Sequence, residues 1–131
     1  MSVKYFVWSD AYSVNSPVLN EQHKKLFEIS NELYDAFVAN AHKEKLGQII
    51  EELYDYTVYH FTDEERMIRE KGLKVTPEHL KQHDDFRRKI ADFRDKYKSG
   101  RISVTYEIMN FVRTWMVDHI MGTDKQYAHA F

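Results

Sequence analysis

Four long stretches of the sequence carry apolar residues at steps of three and four, and this period limits the chain to an all-α fold. In the first stretch Leu19, Leu26 and Leu33 share one face of a helix, as in an amphipathic segment that packs on a core. Gly72 stands where the second pattern ends, and Pro77 where the third begins, which are the positions that helices favour for these residues. The predicted helices span roughly residues 18–39, 43–71, 76–100 and 103–122.

The connections between these helices are short, and short connections favour antiparallel neighbours. We therefore predict an antiparallel up-down-up-down four-helix bundle, preceded by an N-terminal arm that ends near Pro17. A chain of 131 residues is long enough to bury one core and too short for two. The expected organisation is a single domain over residues 1–131.

Composition excludes several classes of function. The chain has no cysteine, so disulfides, thiolate zinc sites, iron–sulfur clusters and cysteine nucleophiles are ruled out. A formal net charge of −2 without a dense basic run argues against a nucleic-acid partner. The apolar runs are too short to cross a bilayer, and residues 1–8 lack the basic leader of a signal peptide. We expect a cytoplasmic protein without membrane insertion, in which nitrogen and oxygen atoms hold any metal.

Five of the seven histidines interrupt the apolar stripes and point toward the predicted core. His60 is followed four residues later by Glu64, and His79 by His83, so the members of each pair lie one helical turn apart on the same face. The inward histidines are His23, His60, His79, His83 and His119, whereas His42 and His129 fall in a connection and in the tail.

This grouping of histidines indicates a metal site. A single buried histidine is ordinarily a hydrogen-bonded core residue, but burying five imidazoles and a carboxylate without partners would cost on the order of several kcal/mol each. That sum exceeds the roughly 5–15 kcal/mol by which a domain is stable, so a cation is needed. The spacing is not His-Glu-x-x-His of zinc proteases, and one zinc takes only about four ligands. The set instead fits two first-row ions such as iron or manganese.

Across nearly its whole length the chain resembles the hemerythrin family, in particular its single-domain bacterial members, the bacteriohemerythrins. The matching pieces are Asn20-Glu-Gln-His23-Lys, His60-x3-Glu64, His79-x3-His83 and Trp115-x3-His119-x4-Asp124. The resemblance implies two iron ions per chain, joined by an oxo or hydroxo bridge. It further implies that one iron is held by His79, His83 and His119, that the other is held by His23 and His60, and that Glu64 and Asp124 bridge both.

Two carboxylates raise a question of helix geometry. Glu65 follows His60 by five residues, a step that rotates it by about 140° from His60 on an ideal helix, so Glu64 is preferred as the inward group. Asp124 follows His119 by the same five-residue step, and it is assigned only because of the resemblance. We therefore expect the fourth helix to depart from regular α-helical geometry between His119 and Asp124, near Gly122.

The resemblance implies reversible dioxygen binding rather than an enzymatic reaction. The implied ligands fill one iron and leave a single open position on the iron held by His23 and His60. Two alternatives remain open: a di-iron enzyme that reduces peroxide or nitric oxide or oxidises iron, and an oxygen or redox sensor. The expected partners are dioxygen and an oxygen-consuming enzyme that receives it, and the expected state is a monomer.

Overall fold

Four α-helices form most of the computed structural model, which describes residues 7–131. No strand occurs within these residues, and the first six residues of the predicted N-terminal arm lie outside the described part. A short 3₁₀ helix, Asp10–Tyr12, precedes the bundle. The helices are α1 (Pro17–Val38), α2 (Lys43–Glu70), α3 (Pro77–Lys98) and α4 (Tyr106–Asp118).

Three of the helices begin at a hydroxyl side chain that caps the first turn. Ser16, Thr76 and Thr105 each accept a hydrogen bond from the backbone N–H three residues further on, at 3.2, 3.1 and 3.4 Å. The predicted start of the fourth helix at Ser103 was wrong, because Thr105 is the residue that caps it and α4 begins at Tyr106.

Three helices end in the same way, with a left-handed residue that reverses the chain. Asn40, Gly72 and Gly100 have φ values of 53°, 77° and 76°, a conformation that favours glycine and, less strongly, asparagine. The predicted role of Gly72 at a helix end is confirmed. In each case the following backbone N–H bonds back to the last turn: Ala41 to Ala36 at 2.9 Å, Leu73 to Ile68 at 3.3 Å and Arg101 to Lys96 at 2.9 Å.

The helices pack as an antiparallel bundle, which confirms the predicted fold class. Helix α1 contacts α2 and α4, and α2 contacts α3. Phe86 of α3 stacks on Trp115 of α4 with ring centroids 4.2 Å apart, which closes the bundle on its fourth side. Among residues 7–131, none of the helices combines the length and the apolar character that crossing a bilayer requires.

The chain changes helix type after α4. A π-helix, His119–Thr123, continues directly into a 3₁₀ helix, Asp124–Ala130. The predicted departure from α-helical geometry between His119 and Asp124 is confirmed. The C-terminal 3₁₀ helix packs against the residues before α1: Tyr127 and Ala128 join Val14 in a small apolar cluster, and the Asn15 side chain donates to the Ala128 carbonyl at 3.1 Å.

Candidate metal centre

The structure brings all seven side chains of the predicted metal site into one buried cluster. None of them is more than 4% exposed, and their ligand atoms form two overlapping groups that share Glu64. His42 lies outside the cluster at the start of α2, and the exposed His129 lies in the C-terminal 3₁₀ helix. The cluster comprises His23 from α1, His60 and Glu64 from α2, His79 and His83 from α3, His119 at the start of the π-helix and Asp124 at its end.

The Glu64 carboxylate divides the five imidazoles into a group of three and a group of two. Its Oε1 atom lies 2.9, 3.2 and 3.9 Å from the Nε2 atoms of His79, His83 and His119. Its Oε2 atom lies 3.4 Å from Nε2 of His23 and 3.2 Å from Nε2 of His60. One carboxylate thus offers an oxygen to each imidazole group, as a ligand that bridges two cations must.

Asp124 has the same relation to the two groups. Its Oδ1 atom lies 3.2 and 3.0 Å from Nε2 of His79 and His119, and its Oδ2 atom lies 3.4 Å from Nε2 of His23. Despite these short distances, neither oxygen accepts a hydrogen bond from any residue in the range 7–131. A fully buried carboxylate without a hydrogen bond is costly unless a cation neutralises it.

The π-helix explains how Asp124 reaches the cluster. The backbone N–H of Asp124 donates to the carbonyl of His119, five residues earlier. Because five residues then make about one turn, the two side chains leave the helix on the same side. On a regular α-helix they would point about 140° apart.

Three side chains beside the cluster fix which ring nitrogen carries hydrogen in His60, His83 and His119. Nδ1 of His83 lies 2.8 Å from Oε2 of Glu65, and Nδ1 of His60 and His119 lie 2.7 Å from the amide oxygens of Gln22 and Gln82. Carboxylate and amide oxygens only accept hydrogen bonds, so each ring donates from Nδ1. The lone pair at Nε2 of each ring therefore points into the cluster.

This tautomer assignment exposes a conflict between His83 and His119. Their Nε2 atoms lie 3.0 Å apart, and neither ring has a hydrogen there when the imidazoles are neutral. Two lone pairs at this distance repel each other unless a positive charge is shared between them. The donor set of imidazole nitrogens and carboxylate oxygens suits first-row metal ions, so the residues fit a metal centre.

Sequence reasoning did not identify Glu65, Gln22 and Gln82 as partners of the histidines. Each is adjacent in sequence to a residue of the cluster, so on an ideal helix it lies about 100° from that residue, at the edge of the inward stripe. That position was the available signal, because histidines that bind metals commonly donate their other N–H to a carboxylate or carbonyl. Which ring each one meets depends on tertiary packing.

Aromatic side chains hold three of the rings in place. Phe61 stacks on His83 at 3.9 Å with an angle of 3° between planes, and Trp115 stacks on His119 at 4.5 Å and 13°. Tyr127 lies parallel to His79 at 5.9 Å. Ring orientation is thus set by packing as well as by hydrogen bonds.

The electrostatics of the cluster favour anionic carboxylates and added positive charge. Burial acts to raise the pKa of Glu64, and burial together with Glu64 acts to raise the pKa of Asp124, but the surrounding imidazoles hold the pKa of each carboxyl below its ordinary value. Burial lowers the pKa of His23 and His79, yet contacts with Asp124 and Glu64 outweigh it and raise the pKa of both to about 9. Protons supply the positive charge when no metal is bound.

Comparison with known proteins gives a consistent result. The family model described as "Hemerythrin HHE cation binding domain" matches residues 15–131. A bacteriohemerythrin of Methylococcus capsulatus is 33% identical over 121 residues, which cover 92% of each chain. A myohemerythrin of Theromyzon tessulatum is 32% identical over 122 residues, covering 93% of this chain and 90% of its own. The crystal structure of a wild-type hemerythrin matches with a TM-score of 0.89 at 31% identity, covering 96% of this chain and 97% of its own.

Proposed function

Because the chain belongs to the hemerythrin family, we propose that it binds dioxygen reversibly at a non-haem di-iron centre, for oxygen storage, transport or delivery. The observation that carries the proposal is the division of the imidazoles by Glu64. Three rings face Oε1 and two face Oε2. Because the division is unequal, one metal position has three nitrogen ligands and the other has two. The position with two nitrogen ligands therefore has room for one further ligand.

The proposed ligands follow this division. Glu64 and Asp124 would bridge both irons, because each offers one oxygen to each imidazole group. His79, His83 and His119 would hold one iron, and His23 and His60 would hold the other. The iron pair, when bound, would supply the two electrons and the open coordination position that reversible dioxygen binding requires.

The protein's own contribution is to keep water and proton donors away from the open position. Phe61 is 1% exposed and lies within 6.0 Å, between ring centroids, of His60, His83 and His119. A buried apolar ring in this place leaves little room for water beside the cluster. This favours the release of dioxygen unchanged over its further reaction.

The ligand set also supports a carrier over an enzyme. Di-iron bundles of the ferritin-like class use four glutamates and two histidines, with a carboxylate-rich set of ligands. Here five of the seven proposed ligands are imidazoles, each held by a hydrogen bond or by packing against another ring. Ligands held in this way resist the rearrangement that would open further positions on the metals.

The proposal extends to the setting of the protein. We place it in the cytoplasm as a monomeric single domain that exchanges dioxygen with an oxygen-consuming enzyme. Size-exclusion chromatography with light scattering tests the monomer, and co-purification from cells tests the enzyme partner.

The experiment that separates carrier from enzyme is a turnover assay on the iron-loaded protein. Purified protein is supplied with a reductant and with peroxide, nitric oxide or ferrous iron in separate reactions. The proposal predicts at most one stoichiometric reaction per iron pair. Continuous consumption of any of these substrates over many equivalents would contradict it.

A further inference from the structure

The three Nδ1 partners beside the cluster differ in charge. His60 and His119 donate to the amides of Gln22 and Gln82, whereas His83 donates to the carboxylate of Glu65. A glutamate carboxyl group is ionised at neutral pH, and the Glu65 carboxylate, whose side chain is 14% exposed, lies 2.8 Å from Nδ1 of His83, so this partner carries a negative charge. Hydrogen bonds to an ionised acceptor are about twice as strong as those to a neutral one.

The orientation of both glutamines is fixed by further hydrogen bonds. Gln22 uses its amide nitrogen to donate to Asp63 at 2.7 Å, and the Asp63 carboxylate also pairs with Arg66. The Gln82 amide oxygen accepts a second hydrogen bond, from Thr123, at 2.8 Å. Each glutamine therefore turns its neutral amide oxygen to the histidine. The Asp63 carboxylate reaches His60 only through Gln22, and the guanidinium of Arg66 neutralises its charge.

The anionic partner lies on one side of the centre only. His83 belongs to the group of three imidazoles that face Oε1 of Glu64. A carboxylate that accepts from Nδ1 makes the imidazole more basic and a stronger electron donor at Nε2. Its effect is greatest on the metal that this ring ligates.

We propose that Glu65 makes the two metal positions electronically unequal by stabilising the oxidised state of the metal held by His79, His83 and His119. This inference rests on the proposed function, because it concerns the oxidation of the same di-iron centre. Glu65 is a positioning residue that acts through His83. When a one-electron mediator accepts electrons from the fully reduced centre, the metal held by these three histidines would be the first to be oxidised.

Two substitutions separate the charge of Glu65 from its hydrogen bond. Glu65→Gln retains an acceptor oxygen and removes the charge, whereas Glu65→Ala removes both. Glu70→Gln is the matched control, because it removes the same charge from the same helix at an exposed position, where Glu70 pairs with Arg66. Each variant is titrated anaerobically with ferrous iron alone, and the loaded proteins are then titrated with one-electron mediators while the visible spectrum is recorded.

We expect Glu65→Gln to weaken binding of one of the two ferrous ions about tenfold, at the lower end of the effect of outer-shell changes on metal affinity. The same variant should shift the first oxidation step by about tenfold in its equilibrium constant, or about 59 mV toward more positive potential. The second step should move less, and Glu70→Gln should match the unmodified protein.

Two outcomes would overturn the proposal. If Glu65→Gln matches the unmodified protein while Glu65→Ala does not, Glu65 only anchors the ring and its charge has no role. If both oxidation steps move equally, the charge acts on the centre as a whole. Neither readout depends on dioxygen, so a failure of reversible oxygen binding would leave this test independent.

Discussion

The Nε2 atoms of His83 and His119 lie 3.0 Å apart in the core, while each ring donates its Nδ1 hydrogen outward, to Glu65 and to Gln82. Neutral imidazoles in this arrangement direct two lone pairs at each other. This single contact thus shows why the core needs positive charge.

The first prediction concerns the histidines inside and outside the cluster. His83→Ala should reduce the iron content from about two per chain to about one or fewer, because it removes a nitrogen from the three-histidine group. His42→Ala should retain both irons, since His42 is exposed at the start of α2. Iron is measured by elemental analysis of the purified variants. Equal loss of iron in both variants would show that the assignment of His83 to the core and of His42 to the surface is wrong.

A second prediction concerns the π-helix and the carboxylate that it positions. Asp124→Asn preserves the size of the side chain and removes its charge, so it should reduce the retention of iron during dialysis at least tenfold. Gly122→Ala is the matched control in the same segment. Gly122 has no left-handed φ, and a Cβ atom there would meet nothing within 4 Å, so the change should leave iron unaltered and raise the free energy of unfolding by up to about 1 kcal/mol. Iron loss from Gly122→Ala would show that glycine itself is required for the π-helix.

The third prediction is the pH dependence of the metal-free protein. The pKa of His23 and of His79 is about 9 in the folded chain, against 6.5 for the free side chain. A raised pKa stabilises the folded state fully below pH 6.5, and this contribution is lost as the pH rises toward 9. The thermal midpoint of the metal-free protein should therefore fall between pH 6.5 and 9. The iron-loaded protein should not share the decline, because His23 and His79 are already neutral when they ligate a metal. A midpoint of the metal-free protein that is constant or rises over this range would contradict the assignment of charge.

The fourth prediction separates packing on the cluster from packing elsewhere. Phe61 is 1% exposed and stacks on His83 at 3.9 Å, so Phe61→Ala should lower the free energy of unfolding by about 3–5 kcal/mol. Tyr59 is on the same helix and is 56% exposed, so Tyr59→Ala should change the free energy of unfolding by less than about 1 kcal/mol. Chemical denaturation of both variants provides the measurement. A similar loss in the two variants would show that Phe61 does not support the cluster.

The sequence was sufficient to predict the bundle and the five inward histidines. Four apolar periods located the helices to within a few residues, and the histidines on those stripes are the ones that the structure brings together. The resemblance to the hemerythrin family is confirmed by the family model and by relatives at about 30% identity. Asp124 could not be found from an α-helical period, because its position depends on the π-helix, and only the resemblance supplied it.

Other features depend on contacts between distant parts of the chain, and these were not predicted. Ser103 and Thr105 are both suitable capping residues, and the apolar period did not decide between them. The partners of His60, His83 and His119 depend on how each ring is rotated, which the packing of neighbouring helices determines. The C-terminal 3₁₀ helix packs through Tyr127 and Ala128 against Val14, a contact across more than a hundred residues.

The measurement that tests the central proposal most directly is oxygen uptake by the reduced, iron-loaded protein through repeated cycles. Protein containing about two ferrous ions per chain is mixed with known amounts of dioxygen, and the gas is then removed with argon while the visible spectrum is followed. One open position and two available electrons predict an uptake of about one dioxygen per chain, near-complete recovery of dioxygen and the same amplitude in later cycles. Irreversible uptake on the first cycle, or an uptake near one-half or two per chain, would contradict reversible binding at a di-iron centre.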